Sequence, residues 1–129
     1  MLPQKSLIIL LSLLSQTLAV DIYISPTGSD SAADTVTAPL KSIQSAVNKL
    51  TAGSTIYLRG GTYSPTSNIQ ITTKCISSTP CTTRACTGES VIIDGEGLTG
   101  TPAALDASLA NADRGIFHIQ DAQYWRFTT

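Results

Sequence analysis

The chain has few charged residues and no run of charge of one sign. Of its 129 residues 13% are charged, with eight Lys and Arg against nine Asp and Glu, giving a formal net charge of -1. Proteins that bind nucleic acid usually carry a basic stripe, so that class is excluded. No glycine-rich loop is followed by a helical pattern either, so no phosphate cradle is predicted. The sequence therefore predicts neither a nucleic-acid partner nor a nucleotide cofactor.

Long apolar runs are also missing. The run from Leu7 to Leu14, apolar except for one serine, is shorter than the roughly 20 residues that a membrane-spanning helix requires. It follows Lys5 and precedes small residues near Ala19, which is the order of a secretory signal peptide. We therefore predict that residues 1–19 are a signal peptide, that the protein is secreted to the extracellular medium without a membrane anchor, and that residues 20–129 form one domain.

Cysteine is scarce, and the three that occur lie close together as Cys75, Cys81 and Cys86. In an oxidising compartment two of them are expected to form a disulfide, and the sequence leaves all three pairings open. A zinc site would need four ligands, and the single histidine, His118, is remote in sequence, so a disulfide is favoured over a metal site. The surrounding Thr- and Ser-rich segment is predicted to be a flexible insertion, and the partner of the remaining thiol is expected outside this chain.

Short runs of alternating apolar and polar residues make up much of the rest. Three stand out: TIYLRGG at Thr55–Gly61, VIIDGEG at Val91–Gly97 and GIFHIQD at Gly115–Asp121. A period of two indicates strands with one face in the core, and no tight Asn-Gly or Asp-Gly hairpin joins two of them, so parallel stacking in coils is favoured. The residues predicted to face inward, one layer over the next, are Ile56, Ile69, Val91 and Phe117.

One segment has a helical period instead. From Pro39 to Leu50 apolar residues recur at steps of three and four, the proline suits a first helical turn, and Gly53 follows the end. An amphipathic helix here is expected to lie across the open first coil and to exclude water from it. The residues predicted to form this structural cap are Leu40, Ile43, Val47 and Leu50.

The order of the segments SPTGSD, APLKSIQSAVNKL, AGSTIYLRGGTY, VIIDGEG and GIFHIQDAQYWRF resembles the N-terminal region of secreted pectate-lyase-like right-handed parallel β-helix proteins of the pectin-active polysaccharide lyase type. The likeness extends from about Asp21 to Phe127. It implies an all-β solenoid with an N-terminal capping helix and the first two to three coils, truncated at the C-terminus. It also implies a full-length parent that cleaves plant cell-wall or other acidic polysaccharide by calcium-dependent β-elimination.

The catalytic residues that this resemblance implies belong to middle coils, and no position of this chain matches them. We therefore expect no catalytic residue, metal site or cofactor in this chain, with calcium required only in the full-length parent, and no activity from the chain alone. Asp94 and Glu96 flank a glycine, and a cation site there would need Asp106 or Asp113 in addition, so a turn is favoured. His118 has no paired nucleophile or acid and is interpreted as a surface residue.

Two tyrosines, Tyr57 and Tyr124, are the predicted carbohydrate contacts, whereas Trp125 is expected to pack inside. Lys74 and Arg84 could steer an anionic polymer, but because they flank a flexible insertion they are interpreted as solvated charges. A fragment of so few coils buries little surface, so we predict that it self-associates. The competing interpretation is a non-enzymatic extracellular β-helix for carbohydrate binding or adhesion. Clustered aspartates and a lysine in further coils would favour the enzyme.

Overall fold

A computed structural model of the protein describes residues 18–98 and 115–129. The predicted signal peptide falls almost wholly outside the described residues, as do Asp106 and Asp113. Within these two ranges no helix is long and apolar enough to cross a membrane. The elements are β1 (Asp21–Ile24), α1 (Ile43–Asn48), β2 (Thr55–Leu58), β3 (Gly61–Tyr63), β4 (Ile69–Ile71), β5 (Cys81–Ala85), β6 (Val91–Ile93), β7 (Phe117–Ile119) and β8 (Trp125–Thr128).

The strands form three parallel sheets, and neighbours in a sheet come from successive turns of the chain. Sheet A has the order β1-β2-β5-β8, sheet B pairs β3 with β6, and sheet C pairs β4 with β7. In sheet A, 34 residues separate Asp21 from its partner Thr55, and 27 separate Thr55 from its partner Thr82. The chain therefore winds as a solenoid that visits the three sheets in turn, which confirms the predicted all-β architecture with parallel strands.

The predicted single column of inward residues is wrong. Ile56 belongs to sheet A, Val91 to sheet B, and Ile69 and Phe117 to sheet C, where these two are direct partners. All four do face the core: two of them are buried, and the other two pack against it. The alternation along a strand gives the face that each residue occupies, but the turns between strands decide which wall of the solenoid the strand joins.

The segment around the cysteines is not a flexible insertion. Cys81–Ala85 forms β5, which lies between β2 and β8 in the middle of sheet A. Its inward residues Cys81 and Thr83 are buried. The prediction was wrong because threonine and cysteine, rather than Ile, Leu or Val, occupy the inward positions, so the strand lacks the usual apolar alternation.

Helix α1 is shorter than predicted. It begins at Ile43, after Ser42, whose hydroxyl accepts a hydrogen bond from a backbone N–H of the first turn. The predicted start at Pro39 is wrong because Leu40 is extended: its N–H donates to the carbonyl of Tyr23 at 2.9 Å, so the residue extends sheet A beyond β1. The helical period therefore included one residue that belongs to the edge of a sheet.

Helix α1 packs against β1 and β4, and one of its side chains covers the edge of β4. The Gln44 Oε1 atom accepts the backbone N–H of Gln70 at 2.6 Å, and Gln44 Nε2 donates to the Gln70 carbonyl at 3.1 Å. A neighbouring parallel strand would satisfy the same two groups. The residues predicted to form the cap are all buried, and their role as a lid remains a prediction: Leu40, Ile43, Val47 and Leu50.

The opposite end of the stack is less covered by the described residues. Ile119 of β7 and Phe127 of β8 are aligned with inward-facing residues of the preceding strands, yet they are 54% and 49% exposed. The ring of Phe127 meets that of Phe117 edge to face, with centroids 5.4 Å apart. Apolar side chains in inward positions are therefore open to water at this end.

Candidate carbohydrate-binding surface

The outward face of sheet A carries a row of aromatic and cationic side chains. The parallel register places Tyr23 of β1, Tyr57 of β2 and Arg84 of β5 side by side. Each follows a buried residue in its strand and therefore points away from the core. Neighbouring strands lie about 4.8 Å apart, so these three residues form a continuous row, here named the Tyr–Arg column.

The two tyrosines of the Tyr–Arg column stack on each other. Their ring centroids are 4.9 Å apart and the ring planes differ by 14°. One face of the Tyr57 ring is therefore covered by Tyr23. Partial burial, followed by the carboxylate of Asp21, raises the pKa of Tyr23. The phenol of Tyr23 is thus protonated at neutral pH and able to donate a hydrogen bond.

Two arginines on this face differ in their partners. Arg59 Nε donates to Glu89 Oε1 at 3.0 Å and to Oε2 at 3.2 Å, and the backbone N–H of Gly60 also donates to Glu89 Oε2. The Gly60 bond, together with Arg59, holds the pKa of the Glu89 carboxyl below its usual value. Arg84, by contrast, is half-buried, its Nε atom is buried without a partner, and no described acidic residue forms an ion pair with it.

The second predicted contact, Tyr124, does not lie beside Tyr57. It is 55% exposed and adopts a left-handed backbone conformation just before β8. The registers of sheet A place it four residue positions and two strands away from Tyr57, which corresponds to roughly 16 Å between Cα atoms. The structure therefore separates the two tyrosines that were predicted to contact the same ligand.

The acidic turn and the histidine lie elsewhere. The backbone N–H of Glu96 donates to Asp94 Oδ1 at 2.9 Å, which closes a turn. His118 is half-buried in sheet C opposite Gln70. In residues 18–98 and 115–129 no three His, Cys, Asp or Glu side chains are grouped so as to hold a metal ion. The described residues thus do not fit a calcium ion, and no catalytic step through calcium is assigned to them.

A groove of about 600 Å³ lies between α1 and the chain that follows β3, with Lys41 on its lining. Among the described residues that line it, the only carboxylate belongs to Asp30, which accepts hydrogen bonds from the backbone N–H groups of Lys41 at 3.0 Å and Ser42 at 2.8 Å. Partial burial raises the pKa of Asp30, but these hydrogen bonds offset it and the net change is a lowering. This carboxylate therefore serves the backbone that leads into the helix.

Cys75 and Cys81 form a disulfide, and Cys86 is a free, half-buried thiol. The bond joins the first residue of β5 to the chain that precedes it. Sequence reasoning left this pairing open, did not consider Tyr23 and interpreted Arg84 as a solvated charge. A signal for the tyrosine pair was present, since Tyr23 and Tyr57 occupy the same position in the repeated strands DIYI and TIYL.

Comparison with known proteins identifies the family. Residues 22–129 match the family model described as Pel9A-like, right handed beta helix region. The chain belongs to the Pel9A-like right-handed β-helix family. Among curated relatives of this Pel9A-like chain, the protein named pectate lyase PEL9 from Emericella nidulans is 67% identical over 123 residues, which is 95% of this chain and 30% of the relative. The chain thus spans less than a third of that relative's length.

Solved structures show the same fold in proteins with other names. A structure described as a rhamnogalacturonan lyase aligns with the Pel9A-like chain at a TM-score of 0.65 and 15% identity, covering 85% of this chain and 27% of that one, and supports the fold alone. One described as a glycoside hydrolase aligns at a TM-score of 0.56 and 27% identity, covering 60% of this chain and 15% of that one. Because these names denote different reactions, the fold by itself does not specify the chemistry.

Proposed function

We propose that this chain is the N-terminal region of a secreted pectate lyase that cleaves an acidic polysaccharide. The observation that supports this most strongly is the 67% identity to pectate lyase PEL9 over 123 residues. Since those residues make up 30% of the relative, the activity is proposed for the full-length protein. The chain alone is expected to be inactive.

The proposed reaction is a β-elimination. A base removes the proton from C5 of a uronic acid unit, and a double bond forms between C4 and C5. The bond between C4 and the glycosidic oxygen breaks, and the departing oxygen takes up a proton from the solvent to become a hydroxyl group. We place the base, and the calcium on which the reaction is proposed to depend, in coils outside this chain. The residues of this chain are proposed to close the N-terminal end of the solenoid and, through Tyr57 and Tyr124, to contact the sugar chain.

The test uses the full-length protein and polygalacturonate. We expect ultraviolet-absorbing unsaturated oligosaccharides to accumulate, to stop appearing when a chelator is added and to return when calcium is restored. The 129-residue chain assayed in parallel should release none. New reducing ends without ultraviolet absorbance would indicate hydrolysis and contradict the proposal. No cleavage at all would support the alternative of a non-enzymatic extracellular β-helix for carbohydrate binding or adhesion, which the name of the curated relative does not favour.

A further inference from the structure

We propose that the Tyr–Arg column is a binding site for a carboxylate-bearing saccharide on the outer face of sheet A, with Arg84 as the residue that binds the carboxylate. The choice of a sugar acid as the ligand rests on the proposed function. The site itself is argued from the charge, the free hydrogen-bonding groups and the spacing of the column.

The charge of Arg84 is not balanced by the described part of the protein. A half-buried cation is normally paired with an acid, because partial removal from water weakens its solvation. Glu89, which pairs with the neighbouring Arg59, already accepts hydrogen bonds from Arg59 and Gly60. A guanidinium without an acceptor on a rigid strand is well suited to a carboxylate, which it can bind through two parallel hydrogen bonds.

The neighbours of Arg84 supply further groups that suit a sugar. The hydroxyls of Tyr57 and Tyr23 form no hydrogen bond with any described residue, and both tyrosines stand in the same row. Thr128 continues the row on β8. Two phenols, a guanidinium and a hydroxyl at the strand spacing of about 4.8 Å form a regular line of polar groups, which suits a polymer that repeats hydroxyls and carboxylates.

General electrostatic attraction does not account for such binding. This chain has a formal net charge of -1, so an anionic polymer gains nothing from the average field of this part of the protein. Selective binding of an acidic saccharide therefore requires a local cation. Removal of a cation elsewhere should not weaken binding as removal of Arg84 does.

The experiment measures binding of a defined-length oligogalacturonate to the full-length protein by calorimetry in the presence of a chelator, which prevents turnover. Arg84→Gln removes one charged hydrogen-bonding group and should lower the affinity of one class of sites about tenfold. Arg84→Lys should lower this affinity by a smaller factor. Tyr57→Phe, which removes only a hydroxyl, should weaken the same sites roughly threefold. The matched control, Lys41→Gln, removes one positive charge from the segment beside the outer edge of β1, outside the Tyr–Arg column, and should bind like the wild type.

Three results would overturn the inference. These are an affinity of Arg84→Gln within about twofold of the wild type, an equal loss in Lys41→Gln, or equally tight binding of a neutral oligosaccharide. If Arg84→Gln does not fold, as judged by its thermal transition, Tyr57→Phe and Arg84→Lys provide the same comparison. Failure of the proposed function is distinguishable, since the full-length protein would then bind oligogalacturonate through Arg84 without releasing unsaturated product.

Discussion

The two ends of the solenoid contain the same kind of inward-facing residue in opposite environments. At the N-terminal end Leu40 and Ile43 are buried, and the helix that contributes Ile43 also supplies the Gln44 amide to the edge of β4. At the other end Ile119 and Phe127 remain about half exposed. The difference shows that an inward position does not guarantee burial, because strand alternation makes Ile119 and Phe127 face inward and both are still about half exposed.

The largest effect is expected from a charge placed at the covered end. Ile43→Asp would bury a carboxylate among apolar side chains without a partner, so the free energy of unfolding should fall by more than about 3 kcal/mol. Urea unfolding followed by circular dichroism measures the change. Unaltered stability would show that α1 does not act as a lid, and the two ends of the solenoid would then not differ in this respect.

The matched control for this change is Ile119→Asp at the open end. Because water already reaches this side chain, the free energy of unfolding should change by less than about 1 kcal/mol. Size-exclusion chromatography at several concentrations should show weaker self-association than in the wild-type chain, since an exposed apolar patch has been interrupted. A loss of stability equal to that of Ile43→Asp would mean that the two ends are equivalent.

A smaller effect is expected from the disulfide, which lies in the layer between the two ends. Replacement of Cys75 and Cys81 together by Ala removes a cross-link between residues six apart in sequence. For so short a loop the chain-entropy model predicts a loss of about 2 kcal/mol. Chemical denaturation of this variant beside Cys86→Ala, which breaks no cross-link, tests the assignment, and equal losses would contradict it.

The contribution of the Gln44 amide should be smaller still. Gln44→Ala removes a hydrogen-bond donor and an acceptor from the partly buried backbone of Gln70, at a cost of about 1–2 kcal/mol. Gln120→Ala removes an exposed side chain near the open end and should change the free energy of unfolding by less than about 0.5 kcal/mol. Similar changes in the free energy of unfolding for the two variants would show that the hydrogen bonds from Gln44 to the edge of β4 do not stabilise the fold.

The smallest effect concerns pH. Tyr63 is 5% exposed, and burial is the main reason why its pKa is raised. The pKa of this residue is higher in the folded than in the unfolded protein. Its contribution to the free energy of unfolding is therefore fully present below the pKa of an unfolded tyrosine, about 10, and decreases as the pH rises above that value. Half a unit above that value the loss should be under about 1 kcal/mol.

Alkaline unfolding curves of the wild type and Tyr63→Phe measure this term. The difference in the free energy of unfolding between the two proteins should be constant up to about pH 9.5 and then narrow. Tyr124→Phe, at an exposed residue of the open end, should follow the wild type throughout. A constant difference up to pH 11 would contradict the assignment.

The sequence predicted the faces of most strands but not their partners. In TIYL and IQI the period of two correctly placed Ile56, Leu58, Ile69 and Ile71 in the core. It could not assign these residues to walls of the solenoid, because the segments between strands vary widely in length and do not show in the sequence which sheet the next strand joins. Resemblance to a family supplied the architecture that the alternation alone left open.

The sequence also misled where tertiary contacts override local pattern. Leu40 fits a helical period, but its backbone is paired with β1, and Cys81–Ala85 has little apolar character, yet lies between two strands. For the candidate site, Tyr57 was identified from its outward position. Arg84 was not, because it was assigned to a flexible insertion, and only the register shows that it lies next to Tyr57.

The side-chain amide of Gln44 takes the place that a neighbouring strand would have beside β4. This contact makes the two edges of the strand unequal. Because Gln44 occupies the outward N–H and carbonyl of Gln70 in β4, a further strand could pair with that edge only by displacing the Gln44 side chain. Since β7 follows β4 in the chain and pairs with its other edge, each later winding can use the previous one as its template.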